Sequence, residues 1–348
     1  VTNIPTPERV VEVAAPRTWS LGEAPWTGTE VLPPRYRVIV DNDFSGDPDD
    51  VFQLAHHLLS PSVDIRLVVG SHLSEGDGFD PGPDTASHAV LVAREVFSRL
   101  GLTDDDRIVL GAQAAMRDPR TAIDSPAARA IIAEALRDDT DLPLFYAAGG
   151  GLTDLASALL MEPSIASRLT VVWIGGPEHE GFAEAPPGGS AVEYNLAIDV
   201  AAAQVVFASE ATIWQVPRDA YRRCLVSFAE LRTRVRSTGP LGEYLHDEAL
   251  EILRGAVAHS GRGAGEAYAL GDQPLVLLTA LQSPFEPATS SSDYVVMPTP
   301  EITGEGTYRH VEGARPMRVY TGFDTRMMFE DLYAKLAEHA AWQRAGGR

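Results

Sequence analysis

The chain has 348 residues, 45% of them hydrophobic, and a formal net charge of −21. That length suits one large α/β domain or two small ones with a full core, while the charge argues against nucleic acid and anionic membrane surfaces as partners. No run is long and apolar enough to cross a bilayer, and the lone cysteine, Cys224, excludes an internal disulfide and points to the cytoplasm.

Residues 1–35 are rich in Pro, Thr and Glu, and Trp19 and Trp26 among them mark an irregular arm that is packed rather than free. No secretory signal is visible in it. Short β-rich runs then alternate with helical patterns. Strands are expected at 36–41, 64–70, 107–110, 143–147, 169–174 and 212–216. Helices are expected at 50–59, 84–100, 126–137, 152–160, 199–207 and 227–237. That alternation predicts an α/β domain with a mostly parallel central sheet flanked by helices. The stretches 73–84 and 178–191, rich in Gly, Pro and acidic residues, read as long loops. Residues 240–283 read as mostly helical, broken at Gly261–Gly265, and 293–297 and 307–321 as hairpin strands. Asp324 is placed to cap a closing helix whose apolar residues Met328, Phe329, Leu332, Tyr333 and Leu336 recur at helical spacing. No linker divides the chain, so one domain is expected over 36–340, between the arm and a tail at 341–348.

The chemistry concentrates where the first strand meets the first helix. Asp41, Asp43, Asp47, Asp49 and Asp50 fall within ten residues, and no lysine or arginine lies among them. One or two aspartates there would be a turn and a helix cap. Five at the mouth of a core strand repel one another unless a cation pairs them. Oxygen-only ligands suit a hard ion, Ca²⁺ or Mg²⁺. Asp41 and Asp43 alternate along the ending strand and are expected on one side of it. Their spacing also resembles the haloacid-dehalogenase-type phosphotransferases, with Asp41 as nucleophile and Asp43 as acid. That family's threonine is replaced by Ser45, and the chain's only lysine, Lys335, lies in an apparent surface helix.

A more specific resemblance runs in order along the chain. The Asp41–Asp50 run, Ala148-Gly149-Gly150-Gly151-Leu152-Thr153-Asp154, Val171-Val172-Trp173-Ile174-Gly175-Gly176, Glu193-Tyr194-Asn195 and Gly271-Asp272-Gln273-Pro274 together resemble the inosine–uridine-type nucleoside N-ribohydrolases over about 36–340. The resemblance implies a single domain with a Rossmann-like core, a Ca²⁺ ion, a nucleoside or related riboside as substrate, and a homo-oligomer, dimer or tetramer. It implies that Asp43, Asp50, Asp272 and the carbonyl of Gly149 ligate the ion, and that Asp43 is the general base. It also implies that Asp49, Asn195 and Glu193 hold the sugar.

Departures accompany it. The family's asparagine after the second strand aligns with Ser71, beside His72, and these two are expected at the substrate. The histidine that often precedes the last aspartate is Gly271 here. His72, His179, Tyr221 and Tyr268 are the candidates to protonate a leaving base; a charged base such as that of nicotinamide riboside would need no acid. The alternatives are a hydrolase of another glycoside and a metal-dependent nucleoside or sugar binder without turnover.

Overall fold

Val38, Ile39 and Val40 have no exposed surface. A strand buried on both faces reads as an unbroken apolar run, which is the signature of a parallel sheet sandwiched between helices. The computed structural model describes residues 17–27, 33–260, 265–286 and 291–346. Its strands are β1 (Tyr36–Asn42), β2 (Val63–Gly70), β3 (Ile108–Leu110), β4 (Leu144–Ala148), β5 (Leu169–Ile174), β6 (Thr212–Val216), β7 (Leu225–Ser227), β8 (Ala267–Ala269), β9 (Ser292–Pro298), β10 (Glu301–Ile302), β11 (Tyr308–Arg309) and β12 (Pro316–Phe323). The helices are α1 (Asp49–Leu58), α2 (Thr85–Leu100), α3 (Pro126–Ala135), α4 (Thr153–Met161), α5 (Tyr194–Ile198), α6 (Val200–Ala208), α7 (Arg218–Tyr221), α8 (Phe228–Glu230), α9 (Pro240–Ser260), α10 (Gln273–Thr279) and α11 (Thr325–Ala345).

The central sheet has the order β3-β2-β1-β4-β5-β6-β12-β9. All its pairs are parallel except β12 with β9 at one edge. One core lies between the sheet and α1, α2, α9, α10 and α11. The other lies beneath α3, α4 and α6. The chain runs outward from β1 to β3 and returns to β4 on the other side. Such a reversal opens a crevice beyond the carboxyl ends of β1 and β4, where open α/β sheets hold their ligands.

The six strands expected through residue 216 form within a residue of their expected limits. The helix expected at 227–237 does not form as one. Ser227 and Glu230 close a capping box over α8, and a π-helical turn (Leu231–Val235) and a 3₁₀ turn (Arg236–Thr238) follow. Thr233 Oγ1 donates to the Ala229 carbonyl at 2.8 Å, a local bond that competes with the helical ladder. The stretch 240–283 is helical in α9 and α10 but carries β8 between them, paired antiparallel with β7. Of the expected break at 261–265, only Gly265 lies within the described residues. The expected strand 307–321 splits into β11 and β12, with a turn at Gly313 (φ +74°) between them. Asp324 does cap the closing helix, its carboxylate accepting from Met327 N at 2.8 Å, and that helix continues to Ala345, past the expected start of a tail.

Of the arm, 1–16 and 28–32 lie outside the described residues. Trp19 is buried, its indole N–H donates to the Leu100 carbonyl at 2.7 Å, and its ring meets Trp26 edge-on at 4.6 Å. Trp26 in turn packs on His339 and Trp342 of α11. Trp19→Ala should lower stability by about 3 kcal/mol or more, because it removes a large buried ring and leaves a cavity beneath Trp26. The urea midpoint checks this, and a shift within error would show the arm to be an ornament.

Candidate functional site

The acidic run folds as a tight loop feeding a helix. Gly46 N donates to the Asp43 carbonyl at 2.7 Å, Phe44 is buried beneath the loop, and Asp49 and Asp50 open α1. Acidic residues suit that helix end. Asp272 arrives from the other end of the chain. The β7–β8 ladder and a bond from Leu270 N to the Cys224 carbonyl hold the segment before it, and Gln273-Pro274 start α10 directly after it. Asp272 N donates to Asp49 Oδ2 at 3.1 Å. Gly149 follows β4, its N–H on the Asp41 carbonyl at 3.0 Å. Glu193 caps the short helix that carries Asn195.

These segments enclose one cleft of about 130 Å³, lined by Asp43, Asp47, Asp49, Asp50, Gly149, Ile174, Glu193, Tyr194, Asn195, Tyr221 and Asp272. Seven of the nine residues expected to bind ion or substrate are thus side by side. Ser71 and His72 are not on the cleft wall. Ser71 Oγ donates to Asp41 Oδ1, and His72 Nε2 meets Thr153 Oγ1 at 2.9 Å and borders a separate cavity beside Ser74 and Gln113. Asp41 also stays out of the cleft, because β1 ends at Asn42 and strand alternation does not carry through to Asp43. Its two oxygens accept from Ser71 and Tyr146. Of the four acid candidates only Tyr221 lines the cleft; His179 binds Gln215 Oε1 at 2.8 Å and stacks on Tyr308. Tyr268 lies in β8, outside the lining.

The carboxylates are poorly satisfied. Asp43 Oδ2, Asp47 Oδ1 and Asp50 Oδ2 are buried without a hydrogen-bond partner. Burial, reinforced by Asp272, holds Asp43 well above the usual carboxylate range, and Asp50 is raised by burial and then by Asp43. Burial lifts Asp47 to about 7 and Asp272 to about 6. The Asp50 and Asp272 carboxylates lie close enough to act on each other's ionisation. Among the described residues no three His, Cys, Asp or Glu side chains already stand as a metal-binding group.

Asn42 was not expected to act, yet it ties the two ends of the site together. It is fully buried; its Oδ1 accepts from Asp43 N at 3.1 Å and its Nδ2 donates to Asp272 Oδ2 at 2.5 Å. The legible signal was a polar residue at the end of a core strand, which must have a partner. Gly149 is required by the same contact, since a Cβ there would overlap Asp272 Oδ2 and Asn42 Nδ2. Asn195 donates both amide hydrogens to backbone carbonyls, of Gly149 and of Ile174 at 2.9 Å, which leaves its Oδ1 for a ligand hydroxyl. The Gly149 carbonyl keeps one lone pair. Glu193 is already saturated: Gly176 N (2.7 Å), Leu196 N (3.0 Å), Asn195 N (3.2 Å) and Tyr221 Oη (2.7 Å) all donate to it. Tyr194, also unforeseen, donates to Asp77 Oδ2 at 2.8 Å, and Phe79 meets its ring at 6.5 Å.

Two outcomes follow from this geometry. Asn42→Ala should cost about 1–3 kcal/mol by leaving Asp272 without its donor, and an unchanged urea midpoint would deny the clamp. A carboxyl whose folded pKa is raised binds its proton more tightly in the folded state, so stability falls as pH rises through that interval. In chelator the melting temperature should therefore drop between pH 3.8, the ordinary aspartate value, and about 7, the value for Asp47. A melting temperature that climbs across the interval would contradict it.

Comparison with known proteins identifies the family and the fold. A family model described as inosine-uridine preferring nucleoside hydrolase matches residues 38–330. A curated protein of that name from Crithidia fasciculata is 44% identical over 68 residues, a match covering only 19% of that relative's length and 19% of this chain. The purine-preferring ribonucleoside hydrolase from Gardnerella vaginalis superposes with a TM-score of 0.68 at 18% identity, covering 87% of this chain and 99% of that one. The type III effector protein XopQ, in complex with adenosine diphosphate ribose, superposes with a TM-score of 0.60 at 20% identity over 89% of this chain and 94% of that one. No helix among the described residues is long and apolar enough to cross a membrane. With its family motifs meeting in one cleft and the family model spanning most of its length, the chain belongs to the inosine-uridine preferring nucleoside hydrolase family and is an enzyme of that family.

Proposed function

We propose that the cleft hydrolyses the N-glycosidic bond of a ribonucleoside or related riboside with the help of a bound Ca²⁺ ion. The observation that carries this reading is the set of three buried, unpartnered carboxylate oxygens on Asp43, Asp47 and Asp50 beside Asp272 and the Gly149 carbonyl. An all-oxygen donor set with uncompensated negative charge fits a hard divalent cation. Asp43, Asp50, Asp272 and the Gly149 carbonyl would hold it, the ion taking the place of protons that burial favours on these carboxyls. When bound, such an ion orients sugar hydroxyls and lowers the pKa of water.

The side chains supply the rest. Asp43, with Oδ2 free, accepts the proton of the attacking water. Asp49 and the free Oδ1 of Asn195 take sugar hydroxyls. Breaking the bond leaves positive charge on the sugar ring, and the surrounding carboxylates stabilise it in place. Attack opposite the base inverts the anomeric carbon. Glu193 shapes the floor through its cap and its bond to Tyr221. We read the enzyme as a homo-oligomer, dimer or tetramer, and the buried thiol Cys224 as consistent with the cytoplasm. A phosphotransferase is disfavoured, since Asp41 is fully engaged and Lys335 is bound to Asp331 and Ser60. Binding without turnover stays testable, because one structural neighbour is an effector holding a nucleotide sugar.

Sugar release from a riboside panel, with Ca²⁺ and with chelator, should be ion-dependent. Asp43→Ala should lower kcat by about 100-fold or more while preserving Ca²⁺ binding in part. Asp272→Ala should weaken calorimetric Ca²⁺ affinity by more than about 100-fold, beyond the range for loss of an outer partner alone. Riboside binding without any sugar release would replace the hydrolase by a binder.

A further inference from the structure

Behind the cleft, α1 turns a buried polar row toward α10. Gln53 and His57 stand one turn apart on α1, and Thr279 closes α10. None of the three exposes more than 2% of its surface. Polar groups so placed must find partners inside the protein. Thr279 Oγ1 donates to the Leu275 carbonyl at 2.6 Å. Toward His57 Nε2, 2.8 Å away, it can therefore only accept. His57 thus carries a hydrogen on Nε2. Burial holds the ring well below the ordinary histidine range, so it is neutral and its Nδ1 is a bare acceptor.

Gln53 donates to that Nδ1 through its Nε2, which turns its Oε1 toward Asn42 Nδ2 at 3.5 Å. Asn42 spends one amide hydrogen there and the other on Asp272 Oδ2 at 2.5 Å, while its Oδ1 receives Asp43 N at 3.1 Å. One polarity therefore runs from the end of α10 to the cleft. Reversing Gln53 would set its NH₂ against that of Asn42 and its oxygen against Nδ1, two repulsive contacts in a buried space. His56 is used differently. Its Nδ1 meets Gln273 Oε1 at 2.7 Å and its Nε2 meets Asp331 Oδ2 at 2.9 Å, which anchors the start of α10 to α11.

We propose that His57 is a positioning residue for the ion site: through Gln53 it holds the Asn42 amide in the one orientation that grips Asp272 and Asp43 together. This role presupposes the ion site proposed above. His57 itself touches no expected ligand; Gln53 and Asn42 stand between its ring and Asp272.

Long-range proton–nitrogen NMR of the full chain in chelator at neutral pH should show His57 with its hydrogen on Nε2. A hydrogen on Nδ1 would overturn the proposal, whatever ion the cleft takes. Calorimetry with Ca²⁺ then compares two variants. His57→Gln can reach Thr279 but offers no acceptor at the Nδ1 position, and should weaken Ca²⁺ binding about tenfold, the lower end of the effect of an outer partner. His57→Asn places an amide oxygen where Nδ1 stood and should restore most of the affinity. A merely structural role would lower the urea midpoint of both variants and leave their Ca²⁺ affinities alike. Equal affinities therefore overturn the proposal. In an Asn42→Ala background, adding His57→Gln should cost no further affinity, because the two act in series; a second tenfold loss would show another route. If the unaltered chain binds no Ca²⁺, the ion reading falls and takes this role with it.

Discussion

Like charges forced together at the end of a core strand govern this molecule. Asp43, Asp47, Asp49, Asp50 and Asp272 share a cleft that burial keeps poor in water. Each would cost several kcal/mol as an isolated buried ion. The fold tolerates them by placing donors behind them, with Asn42 on Asp272, Asp272 N on Asp49 and the α1 terminus beneath Asp49 and Asp50. It leaves their outward oxygens unspent. A site so arranged is unfavourable by itself, with negative charge that nothing in the protein compensates.

The reversal of strand order places this site between β1 and β4 rather than elsewhere. Parallel strands deliver their carboxyl ends to one rim, where the short loops after β1 and β4 meet the end of the longer loop after β5. Asp272 is the exception. It reaches the rim through the small β7–β8 ladder and the start of α10, and Asn42 holds it on arrival.

The strands were legible because runs such as Tyr36–Val40 and Leu169–Ile174 are dominated by β-branched and aromatic residues and bounded by turn residues. The helix at 227–237 was misread because its spacing was helical while Thr233 and the capping box at Ser227 broke it locally. The three-residue β7–β8 pairing has no local signature at all; only tertiary contact creates it. Within the site, the acidic run announced itself by charge. That Asp272 belongs with it was carried by resemblance and is met by geometry. Ser71 and His72 were misplaced because a sequence does not say toward which side a residue after a strand will turn; here they serve the buried Asp41 and Thr153. Tyr194 gave no signal beyond its place between Glu193 and Asn195.

The bond from Asn42 to Asp272 spans 230 residues. A ribosome that has delivered only the first two hundred residues has made the aspartate loop but not the partner that completes it. The emerging sheet must hold its acidic rim half-assembled until the last third of the chain docks. The docking of Asp272 thus marks the close of folding, completing a rim whose first half was built long before.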